Sequence, residues 1–201
     1  YSFVATALFL SLTINAQTST PNIDSLKIQL GKASTDSSRL TLLFELSKKY
    51  QYLDFTQAKS LLDEATELSE KLNLNWAKLE AYQQQSNLAS IRGNYISALK
   101  FDKAGFPLAI ATKDSTIIAR ANNFLGYDYV NLGEYDEAYY YFTESFRISR
   151  AIKDSLLTAI ALHNVGTVFK ELGQYDIALD HIELASKLSN QINDIDGLAY
   201  T

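Results

Sequence analysis

The feature that most constrains this chain is a repeat of forty residues. Gly93, Gly133 and Gly173 are forty apart, and each opens the same short pattern: Gly93-Asn94-Tyr95, Gly133-Glu134-Tyr135 and Gly173-Gln174-Tyr175. Ala98, Ala138 and Ala178 keep the spacing, as do Asp114, Asp154 and Asp194, and Ala81, Ala121 and Ala161. Self-similarity at such a period means that each unit is one supersecondary element, burying its apolar face against the next copy of itself. Only two prolines and eight glycines interrupt 201 residues, which leaves room for long helices.

Each unit reads as two helices. In the third, Asp114 is a good N-cap, because its carboxylate can accept from the free N–H groups of the first turn. Ile117, Ile118, Ala121, Phe124 and Leu125 carry an apolar stripe toward Leu132, and Gly133 suits the left-handed residue that commonly stops a helix. A second helix follows from about Tyr135 to Ile152. The units expected on this pattern cover about 36–74, 75–113, 114–153 and 154–193, with a fifth opening at Asp194. The first unit, opened by Asp36, diverges: Leu53 stands where the others have glycine, and Leu46-Ser47 matches Leu125-Gly126 and Val165-Gly166 one residue out of phase. That predicts a connection one residue shorter. A short helix from Ile23 to Leu30, stopped by Gly31, is expected inside a linker at 17–35.

Small residues recur in rows: Ala58, Ala98, Ala138, Ala178; Ala65, Gly105, Ser145, Ala185; and Ser86, Gly126, Gly166. Helices packed at roughly 8–10 Å need small side chains at the points of closest approach. Asp102 falls where the repeat otherwise places an apolar or aromatic residue.

These residues resemble the tetratricopeptide repeat. Its pattern of small residue, aromatic, Gly-x-Tyr, alanine and second small residue stands here as Gly126, Tyr129, Gly133-Glu134-Tyr135, Ala138 and Ser145, and again as Gly166, Phe169, Gly173-Gln174-Tyr175, Ala178 and Ala185. The usual unit is about 34 residues, so a period of forty resembles a longer-helix variety, and the family's terminal proline is replaced by Asp caps. The resemblance covers about residue 36 to the end. It implies an all-α, right-handed superhelical solenoid of helical hairpins. It also implies a binding role for the concave face lined by the first helices. The positions matching that face are Glu80, Gln83 and Asn87 in the second unit, Arg120, Asn123 and Tyr127 in the third, and His163, Thr167 and Lys170 in the fourth. The implied partner is a protein or peptide, with self-association also compatible. The Lys and Asn set that clamps a C-terminal carboxylate in chaperone adaptors is not at these places.

Chemistry of other kinds finds little support. A net charge of −5 without a basic run argues against nucleic acid. The absence of cysteine excludes disulfides, thiolate zinc sites and a lipidated cysteine anchor. His163 and His181 are the only histidines, and no glycine-rich phosphate loop is present. No cofactor, metal or catalytic set is expected within this chain. Asp63, Glu64, Glu67 and Glu70 read as a solvated helix face. Tyr139-Tyr140-Tyr141-Phe142 points all around a helix, so part of it must be core, leaving one or two tyrosines exposed.

Residues 1–16, uncharged and apolar up to Ile14 and ending in Asn15-Ala16, read as a partial secretory signal peptide cleaved before Gln17. The segment is too short for a membrane span of roughly 20 residues. An extracytoplasmic, periplasmic location follows, with no direct membrane contact by the repeats. A leader, then Asp24-Ser25-Leu26-Lys27, then Asp-capped repeats also resembles the N-terminal region of Bacteroidetes signalling proteins. In those, such repeats precede a transmembrane helix and a histidine kinase or DNA-binding domain. The function expected is a non-catalytic interaction scaffold, as the sensing region of a bacterial signalling protein. The alternatives are a free-standing secreted adaptor and the repeat region of an enzyme with a downstream catalytic domain.

Overall fold

A computed structural model describes residues 23–199, with side chains to residue 191. The expected leader, residues 1–16, lies outside the described residues. Every described element is a helix: α1 (23–31), α2 (Asp36–Tyr50), α3 (Phe55–Lys71), α4 (Asn75–Ile91), α5 (Tyr95–Ala111), α6 (Ser115–Leu132), α7 (Tyr135–Ala151), α8 (Ser155–Glu171) and α9 (Tyr175–Ala199). They fall into two compact units that divide within α4, after Gln84.

Local chemistry sets the helix limits. Asp54, Asn94, Asp114 and Asp154 each accept a backbone N–H from the first turn of α3, α5, α6 and α8. For α2 the cap is Thr35 rather than Asp36, which instead sits in the first turn, where a carboxylate favours the helix dipole. Gly93, Gly133 and Gly173 have φ of 69°, 79° and 74°, and the following N–H closes back on the carbonyl five residues earlier. That is the left-handed helix stop expected of them. The stops between units are the same device on less suitable residues. Asn73, Lys113 and Lys153, again forty apart, have φ of 52°, 58° and 59°. Asp194, expected to open a fifth unit, lies within α9, which runs to Ala199.

The first hairpin, within the first unit, is built differently. Ser47 Oγ donates to the Ala58 carbonyl, eleven residues on, at 3.0 Å. In the last hairpin the matching approach is Gly166 to the Ala178 carbonyl, twelve residues on. The spacing between these contact points is therefore one residue shorter, but the stretch outside the helices, 51–54, is not the shorter connection expected, and its Gln51 stays right-handed at φ −52°. Ile23 and Leu26 of α1 are buried, and the Lys27 ammonium lies 5.5 Å from the centre of the Tyr50 ring.

In the second unit each helix packs on the next, from α5 through α9. The rows of small residues are the contact points. Ala98, Ala138 and Ser145 are fully buried, and Ala178 and Ala185 nearly so. A Cβ at Gly126 would come within 2.6 Å of the Phe142 ring, and one at Gly166 within 2.8 Å of Ile182. Ser86 meets Asp102 at the same sixteen-residue interval, its Oγ donating to the carboxyl at 2.7 Å. Ala138, Phe142, Val165 and Val168 form a buried apolar cluster between α7 and α8. Of the aromatic run on α7, Phe142 is core, Tyr141 stacks on Tyr129 at 5.5 Å, and Tyr139 and Tyr140 are exposed.

Candidate functional site

The first helices carry the residues singled out for binding, and all nine keep access to solvent. Glu80 and Gln83 lie on α4 in the first unit, where Glu80 pairs with Lys48 at 2.6 Å and accepts from Gln84 at 2.8 Å. Asn87, further along α4, belongs to the second unit and is exposed.

The remaining six come together on one face of the second unit. Arg120, Asn123 and Tyr127 stand at i, i+3 and i+7 on α6, so they share one side of the helix. His163, Thr167 and Lys170 stand at i, i+4 and i+7 and share one side of α8, and α6 and α8 are in contact. An amide bridge ties the two helices: Asn164 Nδ2 donates to Asn123 Oδ1 at 2.8 Å. This bridge uses one acceptor and one donor hydrogen. The amide group of Asn123 and the carbonyl oxygen of Asn164 remain to act as donor and acceptor. Tyr127 is 48% exposed and rests edge-on against Tyr95 of α5, with ring centres 6.4 Å apart. Thr167 spends its hydroxyl on the His163 carbonyl at 3.1 Å, and Lys170 pairs with its neighbour Glu171 at 3.1 Å.

Beside this face, a cavity of about 360 Å³ lies between α8 and α9, lined by Ile160, His163 and Asn164 on one side and Ile182, Ser186 and Ser189 on the other. His163 and Asn164 thus belong to both the face and the cavity. Asn164 and Tyr95 carry no signal of this role in the sequence: Asn164 lies one residue off the expected stripe, and Tyr95 is part of the Gly-x-Tyr turn.

A second polar feature is hidden in the core. Asp102 of α5 and Asp128 of α6 are 8% and 1% exposed, and Asp128 Oδ2 has no donor to meet it. One unit later the same two positions are Phe142 and Val168, both in the buried apolar cluster. Among the described residues no group of three or more His, Asp or Glu is placed to hold a metal ion, and no helix is long and apolar enough to cross a membrane.

Residues 117–191 match the sequence model of the tetratricopeptide repeat. No curated protein matches the chain by sequence. Three solved structures place the fold. A signal transduction ATPase with a tetratricopeptide repeat sensor from Pyrococcus horikoshii superposes with a TM-score of 0.80 at 18% identity, over 91% of this chain and 28% of that one. A Rap protein complexed with competence and sporulation factor gives 0.77 at 17% identity, over 90% and 52%. The nearly identical repeats of a putative kinesin light chain from Podosopora anserina give 0.70 at 16% identity, over 89% and 90%. This chain therefore spans about a quarter of the first and half of the second. With its forty-residue hairpins, its buried small-residue contacts and these likenesses in view, the chain has the all-α fold of a helical-hairpin solenoid, and its residues 117–191 match tetratricopeptide repeats.

Proposed function

We propose that this chain is a non-catalytic scaffold that holds a peptide or an extended protein segment on the α6–α8 face. The observation that carries this reading is the Asn123–Asn164 bridge. It fixes a side-chain donor and acceptor side by side, the pair that an extended peptide backbone complements. Arg120 adds a cation at one end of the face and Tyr127 an anchored aromatic surface at the other. Aromatic and arginine side chains carry much of the energy in interfaces of this kind. Support by analogy comes from the Rap protein, which was crystallised with competence and sporulation factor, and from the ATPase whose repeats are described as a sensor. On the same basis the chain serves as the sensing region of a longer bacterial signalling protein, exported to the periplasm.

The test begins with peptides selected from a random display library against the full chain. Asn123→Ala with Tyr127→Ala should weaken their binding at least tenfold, about 1.4 kcal/mol, while the chain stays folded with its helical content kept. Equal affinity for the double variant would move the site off this face. For the signalling role, the gene downstream should encode a membrane span followed by a kinase or DNA-binding domain. A stop codon after one or two further hairpins would leave a secreted adaptor.

A further inference from the structure

The Asp102–Asp128 pair calls for its own account, because it stands where the next unit has the apolar pair Phe142 and Val168. α5 packs on α6 inside the second unit, both carboxyls are buried there, and each acts on the other. As two carboxylates they would be acceptor facing acceptor, both buried, with like charges at close range. A single proton held between them turns that repulsion into a hydrogen bond and leaves one negative charge, which Ser86 Oγ supports from α4 at 2.7 Å. We propose that Asp102 and Asp128 share one proton and that this proton locks α5 onto α6, making the second unit a pH-responsive element of the array.

The surrounding charges do not offer an alternative partner. From α4 the facing group is the neutral Ser86. Lys103 follows Asp102 on α5, but its ammonium lies 5.2 Å from the centre of the Tyr129 ring, on α6. Glu137 and Tyr141 of α7 act on that ammonium. The forces on the two carboxyls are burial, Ser86 and each other. Burial first, then the neighbouring Asp102, pushes Asp128 up to about 8. Burial likewise raises Asp102, against the pull of its hydrogen bonds from Ser86 and Asp128.

The sign follows from proton linkage. Between the ordinary carboxylate range and about 8 the folded unit keeps a proton that the unfolded chain has lost. Folding is therefore favoured most at low pH, and that contribution falls as pH rises, by about tenfold in the opening equilibrium per pH unit, levelling off above the folded value. Asp128 is next to Tyr127 on α6, so the loosened element is the one that carries half of the candidate face. The proposal does not depend on what that face binds.

Two measurements on the full chain decide it. The first is a carbon NMR titration of the side-chain carboxyls. In the wild type, Asp128 should titrate near pH 8, and in Asp102→Asn, where the like charge is gone and an amide can donate, at least one unit lower. The second is native-state hydrogen exchange, corrected for intrinsic rates, at pH 6 and pH 7. Opening of α5 and α6 should increase about tenfold over this interval. In Asp102→Leu with Asp128→Leu it should change less than twofold. Titration of both wild-type carboxyls completed below pH 6 would overturn the proposal. So would an equal pH response in the leucine pair. If that pair fails to fold, the wild-type titration alone settles the question.

Discussion

At the scale of single residues, this chain turns on atoms that are missing. Gly126 lies against the Phe142 ring, and Gly166 lies against Ile182 and the Ala178 carbonyl, at distances that leave no room for a Cβ. Phe142 is almost fully buried and cannot step aside. Gly126→Ala should therefore destabilise the chain by about 1–3 kcal/mol, although alanine is the better helix former, because overpacking outweighs propensity. Urea unfolding checks this, and a stabilised variant would mean that α6 and α7 can slide. Lys153 presents the opposite case. Held at φ 59° it has the left-handed backbone that an L side chain resists, so Lys153→Gly should stabilise by roughly 1 kcal/mol. The sequence marked the glycine stops plainly. It hid the lysine ones, since lysine has no chemistry that announces a positive φ, and only the forty-residue spacing of Lys113 and Lys153 would have exposed them.

The same division holds for whole helices. Existence, order and caps were legible because apolar stripes, Asp caps and glycine stops agree with one another. The face of each polar residue was less so. Asp102 stood out as a polar residue in an apolar place. Asp128 did not, because an isolated Asp on a helix usually reads as solvated. Only the packing of α5 on α6 shows that two such residues meet. Likewise Asn123 was placed on the binding face from its position, whereas its bridge to Asn164 needed the register between α6 and α8. One helix carries an evident local conflict. Pro107 lies inside α5, where it has no N–H for the Lys103 carbonyl four residues back. Its side is exposed, so no core contact would be lost on replacing it. Pro107→Ala should raise stability by on the order of 1–3 kcal/mol, seen as slower hydrogen exchange across α5. An unchanged exchange pattern would mean that the neighbouring helices already fully support that turn.

For the whole molecule, repetition makes stability nearly a sum over neighbours. It also makes the hairpins similar enough to be exchanged. Glycine stops, left-handed unit boundaries and small-residue contacts recur at fixed intervals, so a segment of forty residues could be duplicated or moved without retuning the seams on either side. The buried acid pair is the exception. A shuffled array that set α5 against α8 would bring Asp102 to Val168, leaving a carboxyl among apolar side chains with no second acid to share its proton. Reordering is thus penalised at this one seam and tolerated at those lined only by apolar and small residues. Asp102 and Asp128 act as a key and its lock: they favour α6 as the helix that follows α5.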